Sequence, residues 1–259
     1  MKIAVLGAGA YGTALGEVLT ENGHSVKYYD PKINTSSLEE VLNGAEYMVL
    51  CVPSEAATNL LNELPKDVPL IVATKGFLSD KVFADFKDYM ILSGPGFADE
   101  IKAKKRIKLT TDDERVEKLF GTNFLSFDFT NDKLGILMCG ALKNIYALNA
   151  GILNLTPDTE EYNIYVDAVV NELKTILVAN GANTDTAELS CGKGDIETTC
   201  KLPSRNYEFG QIIASNPNAK PEKTVESIAT IKRIKAGDIT VPESAYILSK
   251  VIEMSEKWD

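Results

Sequence analysis

Apolar runs of strand length alternate with amphipathic segments of helix length along the first half of the chain. This alternation is typical of a parallel sheet covered by helices on its faces. We therefore predict an α/β region with a doubly wound parallel sheet. Strands are predicted at Lys2–Leu6, Ser25–Asp30, Tyr47–Val52, Leu70–Thr74, Met90–Ser93, Ile107–Thr111 and Phe124–Phe129. Helices are predicted to begin near Tyr11, Leu38, Glu55, Asp80, Ala98 and Asp113, with Ser37 and Glu40 spaced as a capping box.

The alternation stops near Asn131, and the remaining pattern predicts helices alone. A chain of 259 residues exceeds the usual size of one domain, so two domains are expected. We predict an α/β domain at 1–131 and an all-α domain at 132–259. The helices of the second domain are predicted at Asp132–Leu155, Glu161–Asn180, Thr184–Ser190, Asn206–Ala214, Glu222–Ile234 and Glu243–Glu256.

A glycine-rich motif, GxGxxG, directly follows the first predicted strand and opens the first predicted helix. In that context Gly7 permits a tight turn, Gly9 lets backbone approach a pyrophosphate, and Gly12 lets the helix pack on the strand. The helix N-terminus then faces the anion. The motif predicts a Rossmann domain that binds a dinucleotide through Gly7, Gly9, Ala10, Tyr11 and Gly12.

The second predicted strand ends at Asp30, eighteen residues beyond Gly12. A carboxylate there accepts hydrogen bonds from the ribose hydroxyls of NAD and repels the 2′-phosphate of NADP. NAD is therefore the favoured cofactor, while the nearby Lys32 keeps NADP as an alternative. Asp30 also precedes Pro31, so a simple turn role is the competing interpretation.

A lysine, Lys143, lies within the apolar run Gly135–Gly151, where a buried charge is costly. Either its aliphatic stem carries the amine to the surface, or the amine is buried and takes part in catalysis. An amine in an apolar pocket has its pKa lowered toward neutrality, which suits general acid and base work. The one histidine, His24, precedes the second strand and is expected far from the reacting atoms. A second lysine, Lys75, follows a predicted strand, and two lysines suggest an anionic substrate.

Composition narrows the possible partners of the chain. The formal net charge of −10 disfavours nucleic acid and anionic membranes as partners. Four cysteines without CxxC spacing argue against a metal site and for reduced thiols. Apolar strand residues begin directly after Lys2, and no apolar run reaches the length of a membrane span. We expect a cytoplasmic protein with a small-molecule substrate.

Six short motifs resemble, in order, those of bacterial-type NAD(P)-dependent glycerol-3-phosphate dehydrogenases. The motifs are Gly7–Leu15 (GAGAYGTAL), Ala73–Gly76 (ATKG), Ser93–Glu100 (SGPGFADE), Cys139–Asn144 (CGALKN), Gly194–Cys200 (GDIETTC) and Ser204–Asn206 (SRN). The resemblance implies a Rossmann domain joined to a helical domain. It also implies reversible reduction of dihydroxyacetone phosphate to sn-glycerol 3-phosphate. The expected partners are this small phosphorylated substrate and a second copy of the chain, as a homodimer.

The resemblance assigns roles residue by residue. Lys143 would be the catalytic acid and base, Asp195 would orient it or a substrate hydroxyl, and Lys75 would contact the substrate. Substrate binding is expected from Lys75, Gly94, Gly96, Asn144, Thr199, Ser204, Arg205 and Asn206, and further cofactor contacts from Lys75, Ala98, Arg205 and Glu226. Considered without the resemblance, Asp195 could be a helix cap and Arg205 a surface ion pair.

Two positions depart from the family pattern. Gly96 replaces a serine or threonine, which removes a hydroxyl that could bond the substrate. Ala168 replaces an arginine of a motif downstream of the catalytic lysine. The chain is also shorter than expected for the family. These differences keep two alternatives open: a reductase of another small phosphorylated or carboxylated keto-compound, and a non-catalytic dinucleotide-binding sensor.

Overall fold

The computed structural model describes residues 1–33, 36–221 and 224–258. The chain divides into two compact units, Met1–Lys133 and Leu134–Asp259. The first unit is a sheet covered by helices, and the second is built from helices.

The first unit contains one sheet whose seven strands, among the described residues, correspond to the seven predicted runs. They are β1 Lys2–Leu6, β2 Ser25–Tyr29, β3 Tyr47–Leu50, β4 Leu70–Val72, β5 Tyr89–Ser93, β6 Ile107–Thr111 and β7 Leu125–Phe129. Their order is β2-β1-β3-β4-β5-β6-β7. All neighbours are parallel except β5 and β6, which are antiparallel. The sheet is therefore mostly rather than entirely parallel, because apolar patterning specifies a strand but not its direction.

Short helices connect the strands of this unit. They are α1 Ala10–Glu21, α2 Leu38–Leu42, α3 Ser54–Glu63, α4 Ala98–Lys102 and α5 Glu114–Phe120. The capping box is confirmed: the Glu40 N–H donates to Ser37 Oγ at 3.2 Å, and the Ser37 N–H donates to Glu40 Oε2 at 3.0 Å. The predicted helix at Asp80 is only a 3₁₀ turn, Asp80–Phe83.

Strand β1 lies between β2 and β3, inside the sheet. Its residues Ile3, Ala4, Val5 and Leu6 are buried on both faces, as expected for a central parallel strand. The chain leaves β1 toward β2 on one side and later returns as β3 on the other. Ligands of doubly wound sheets bind beyond the carboxyl ends of strands at such a switch point. The glycine motif, which directly follows β1, is at that position.

The second unit is helical in its described residues. Its helices are α6 Lys133–Ile152, which begins at the last residue of the first unit, α7 Glu160–Ala179, α8 Asp195–Thr199, α9 Arg205–Ser215, α10 Glu226–Lys235 and α11 Tyr246–Met254. The predicted start at Glu222 lies outside the described residues. The predicted Thr184–Ser190 helix is a 3₁₀ turn, Thr184–Glu188. A π-helical turn, Ser190–Gly194, and α8 after it were not predicted.

Helices α6 and α9 cross at two glycines. A Cβ on Gly151 would lie 2.0 Å from the Tyr207 carbonyl oxygen, and one on Gly210 would lie 2.1 Å from the Leu148 carbonyl oxygen. Both contacts are far below any real Cβ distance, so only glycine permits this approach. The crossing fixes the start of α9 beside α6.

A buried carboxylate, Glu172 of α7, joins three helices. It accepts a hydrogen bond from the Tyr146 hydroxyl of α6 at 3.1 Å. It also accepts the N–H groups of Ile247 and Leu248, in the first turn of α11, at 2.7 and 2.9 Å. These bonds satisfy two helix-end donors that would otherwise be orphaned. The network holds α6 in place one turn beyond Lys143.

Candidate active site

The glycine loop between β1 and α1 has the geometry that a dinucleotide site requires. Gly7 has φ +105°, and a Cβ there would lie 2.8 Å from the Cys51 carbonyl oxygen. A Cβ on Gly12 would lie 2.0 Å from the Gly7 carbonyl oxygen. A Cβ on exposed Gly9 would meet no protein atom within 4 Å, so this glycine leaves open space. Two glycines are thus dictated by packing, and the third leaves the backbone approachable.

The carboxylate of Asp30 bonds to the glycine loop. Its Oδ2 accepts the Ala8 N–H at 3.0 Å, and its Oδ1 accepts the Lys32 N–H at 3.0 Å. The second bond is the turn contact expected before Pro31. The first places the carboxylate beside the loop, as the cofactor interpretation requires. The turn interpretation of Asp30 is therefore confirmed, and its role toward a cofactor stays a prediction.

Lys75, just beyond β4, lies among residues from two other connections of the sheet. Its Nζ donates to the Gly96 carbonyl oxygen at 2.9 Å. The same atom lies 4.0 Å from the centroid of the Tyr11 ring, in the first turn of α1. The structure thus brings Lys75, Gly96 and Tyr11 together.

The Ser93–Glu100 stretch carries two glycines in left-handed backbone. Gly94 has φ +132°, and Gly96 has φ +124°. A Cβ on Gly96 would lie 3.1 Å from Ile107 Cδ1. The backbone here therefore requires glycine at position 96, which accounts for the departure from serine or threonine. Ala98 follows as the half-buried first residue of α4.

Lys143 does not reach the surface, so the snorkelling interpretation is wrong. Every residue from Gly135 to Gly151 is buried, and Lys143 is 4% exposed. Its Nζ donates a hydrogen bond to Oδ2 of Asp195, which is 2% exposed. A buried charge persists when it is paired and hydrogen-bonded. The amine therefore has the carboxylate partner that the resemblance implies.

The other oxygen of Asp195 is also occupied. Oδ1 accepts the Thr199 hydroxyl at 3.1 Å, one helical turn later on α8. Asp195 is the first residue of α8, whose N-cap is Gly194 and has no side-chain capping bond. Asp195 is therefore not the N-cap of α8, although it is the C-cap of the π-helical turn Ser190–Gly194. Thr199 orients Asp195, and Asp195 in turn holds Lys143.

A second buried network adjoins the lysine along α6. The Asn206 side-chain N–H donates to Asn144 Oδ1 at 2.9 Å, and Asn206 Oδ1 accepts the Ser227 N–H at 3.0 Å. Asn144 also donates to the Gly140 carbonyl oxygen at 3.3 Å. The network connects α6, the start of α9 and the start of α10, where Glu226 is half-buried.

The first turn of α9 presents Arg205. Ser204 is the N-cap, and its side chain accepts the Tyr207 N–H at 3.5 Å. The Arg205 side chain is exposed, and within the described ranges it forms no ion pair. The surface ion-pair interpretation therefore has no support. Ala168 lies on the exposed face of α7, so the arginine expected there would lie at the surface.

The thiols of Cys51 and Cys200 and the histidine are unsuited to proton transfer at the candidate site. Burial raises the pKa of Cys51 to about 12, against a smaller lowering by Lys75. Burial also raises the pKa of Cys200, and the charge of Asp195 raises it further. Neither thiol ionises near neutral pH. His24 lies at the amino end of β2, opposite the edge that bears the glycine loop.

The structure adds contacts that sequence reasoning missed. The bond from Thr199 to Asp195 follows from their spacing of four, but only once α8 is known to be helical. The Ser227 contact had no sequence signal, because it depends on how α9 and α10 pack. The contact between Tyr11 and Lys75 was also unforeseen.

No group of three or more His, Cys, Asp or Glu side chains in ranges 1–33, 36–221 and 224–258 is arranged to hold a metal ion. In the same part of the chain, no helix combines the length and apolarity needed to cross a bilayer.

Comparison with known proteins identifies the family. The models for the N-terminus and C-terminus of NAD-dependent glycerol-3-phosphate dehydrogenase match residues 2–35 with 30–117, and 132–257. A glycerol-3-phosphate dehydrogenase [NAD(P)+] of Oceanobacillus iheyensis is 28% identical over 284 aligned residues, covering 89% of this chain and 83% of that protein.

Two solved structures share the fold. The glycerol-3-phosphate dehydrogenase of Coxiella burnetii has a TM-score of 0.78 at 21% identity, covering 97% of both chains. That of Plasmodium falciparum has a TM-score of 0.81 at 20% identity, covering 100% of this chain and 92% of the other. The two family models together cover most of the chain, and the glycine loop and the buried Lys143–Asp195 pair agree with them. This chain therefore belongs to the NAD-dependent glycerol-3-phosphate dehydrogenase family.

Proposed function

We propose that this protein catalyses reversible hydride transfer between NAD(P)H and dihydroxyacetone phosphate, giving sn-glycerol 3-phosphate. The observation that carries the proposal is the buried Lys143–Asp195 pair in a chain of this family. A lysine held dry beside a carboxylate has little structural justification, since such a pair adds little net stability. It is well suited to moving a proton.

The first unit would hold the cofactor. The glycine loop, through Gly7, Gly9, Ala10, Tyr11 and Gly12, offers backbone N–H groups and a helix N-terminus to the pyrophosphate. Asp30 would accept the ribose hydroxyls and favour NAD over NADP. Lys75 and Ala98 of this unit are proposed as further cofactor contacts, and the family resemblance adds Arg205 and Glu226 of the second unit. When bound, the reduced nicotinamide supplies the hydride that reaches the carbonyl carbon of the substrate.

The second unit would supply the proton. In the reduction, the Lys143 ammonium donates a proton to the carbonyl oxygen as negative charge develops there. The amine becomes neutral and regains its proton from solvent or, in the oxidation, from the substrate hydroxyl. Asp195 orients the amine through its hydrogen bond, while Thr199 fixes the carboxylate.

Substrate contacts are proposed for the residues that match the family motifs. Lys75 would stabilise its negative charge, and Arg205 would bind the phosphate through a bidentate contact that lysine cannot form. Further contacts are proposed from Gly94, Gly96, Asn144, Thr199, Ser204 and Asn206. The Asn206 side chain also bonds Asn144 and Ser227, so it fixes Asn144 in addition to any contact with the substrate. Neither a different reductase nor a non-catalytic sensor is favoured, since the lysine, its partner and Arg205 are all retained.

The proposal extends to a homodimer in the cytoplasm. The four cysteines, all within the described chain, form no disulfide, as suits a reducing compartment. Large apolar side chains are exposed on the second unit, among them Ile164, Val178 and Tyr246. Such exposure is consistent with a subunit contact. Light scattering at several protein concentrations would test the dimer.

The test of the function is the oxidation of NADH and NADPH by the unmutated protein, followed at 340 nm. Dihydroxyacetone phosphate is the acceptor, and unphosphorylated dihydroxyacetone is the matched control. We expect oxidation with the phosphorylated acceptor and little with the control. Equal rates on both acceptors, or none on either, would contradict the proposal.

A further inference from the structure

The position of Lys75 depends on a residue of the glycine loop. We propose that Tyr11 is a positioning residue for Lys75: its ring fixes the ammonium group that contacts the substrate. The glycine loop would then serve the substrate as well as the cofactor. This inference rests on the proposed function, and it gives Tyr11 a task separate from cofactor binding.

Two groups contact the same nitrogen atom, Lys75 Nζ. Lys75 Nζ lies 4.0 Å from the centroid of the Tyr11 ring, well within the range of a cation–π contact. The same nitrogen donates to the Gly96 carbonyl oxygen at 2.9 Å. Three different connections of the sheet therefore meet at this atom: Tyr11 follows β1, Lys75 follows β4 and Gly96 follows β5.

The contact with the Gly96 carbonyl comes from a constrained stretch of backbone. Gly96 has φ +124°, and its Cα faces the Ile107 side chain so closely that a Cβ would lie 3.1 Å from Cδ1. Gly96 is also buried, so packing around its backbone restricts the direction of its carbonyl. A lysine side chain is otherwise flexible, and the loss of rotamer entropy opposes holding it in one place. A second contact, from the Tyr11 ring, restricts the stem further.

Both contacts are with uncharged groups. A carbonyl dipole and an aromatic face orient the ammonium without cancelling its charge. That is what a residue awaiting an anionic substrate needs. Tyr11 and Lys75 are each half-buried, so water screens the contact only partly. The Tyr11 hydroxyl has no part in this role, since the interaction uses the face of the ring.

The test is a double-mutant cycle of Tyr11→Leu and Lys75→Ala, read as kcat/KM for dihydroxyacetone phosphate at saturating NADH. Tyr11→Leu should lower kcat/KM by roughly three- to thirtyfold when Lys75 is present, the range expected of a cation–π contact. In the Lys75→Ala background the same change should have an effect below about twofold, because coupled residues are not additive. Tyr11→Phe keeps the ring and should recover most of the loss.

Several outcomes would overturn the inference. An equal loss in both backgrounds would show that Tyr11 acts without Lys75. A Tyr11→Phe variant as impaired as Tyr11→Leu would transfer the effect to the hydroxyl. If Tyr11→Leu does not fold, Tyr11→Met replaces it as the ring-free variant, judged by the same two backgrounds. If the unmutated protein does not reduce dihydroxyacetone phosphate, the proposed function fails and takes this inference with it.

Discussion

The glycine loop and the buried pair of Lys143 with Asp195 are built in different ways. The loop is a short stretch of backbone whose exposed Gly9 leaves space for a ligand. The pair joins two side chains 52 residues apart and keeps both almost wholly from water. A site made of backbone is specified by consecutive residues, whereas a site made of distant side chains forms only when the tertiary fold brings them together. The two sites should therefore respond to mutation in different ways.

Removing the carboxylate of the pair should have the largest combined effect. Asp195→Ala leaves the Lys143 amine buried without its partner, which should lower the free energy of unfolding by about 3–5 kcal/mol. Turnover should also fall, while the affinity for NADH stays near normal. Urea denaturation and NADH titration measure the two quantities. The matched control is Thr199→Val, which removes only the bond to Oδ1 and should cost about 1 kcal/mol. Equal destabilisation by the two variants would contradict a charged pair.

Arg205 differs from both sites, because it is an exposed cation next to the buried network of Asn206. Arg205→Met should raise KM for dihydroxyacetone phosphate by about ten- to more than a hundredfold, equivalent to roughly 1.5–3 kcal/mol. Activity on unphosphorylated dihydroxyacetone, already poor, should stay nearly unchanged. Steady-state kinetics on both acceptors decides the matter. An equal loss on both would indicate a structural or cofactor role instead.

Two glycines of the loop are expected to have different roles. Gly12 is required by packing, whereas Gly9 leaves space for a ligand. Gly12→Ala forces a Cβ to 2.0 Å from the Gly7 carbonyl oxygen and should cost about 1–3 kcal/mol of stability. Gly9→Ala meets no protein atom and should change stability by less than about 0.5 kcal/mol. It should still weaken NADH binding, because the methyl group fills the space left for the pyrophosphate. Thermal unfolding with NADH titration measures both effects, and an unchanged NADH affinity in Gly9→Ala would refute the assigned role.

The smallest expected effect concerns the choice of cofactor. Asp30→Ser removes a charge that repels the 2′-phosphate, so the ratio of kcat/KM for NADPH over NADH should rise by about fivefold or more, on the order of 1 kcal/mol. Lys32→Gln is the matched change of opposite sign and should shift the ratio toward NADH. A preference for NADPH in the unmutated protein would show that the assignment of Asp30 is wrong.

The sequence predicted the elements of the first unit well, because strand periodicity and the GxGxxG spacing are local signals. All seven strands were found within two residues at each end. The antiparallel pairing of β5 with β6 was not foreseen, since direction is set by long-range pairing. In the second unit α8 was missed, because five residues after a π-helical turn are too few to show a period. Lys143 stands out as a charge in an apolar run, but Asp195 is suggested only by the family resemblance, as a group that orients either the lysine or a substrate hydroxyl.

The most direct test of the central claim is the turnover of Lys143→Ala, measured together with its NADH dissociation constant. If Lys143 donates the proton, kcat for dihydroxyacetone phosphate should fall by about 10²–10⁴-fold. The NADH dissociation constant should remain near that of the unmutated protein, which also shows that the first unit is folded. Near-normal turnover in this variant would contradict the account.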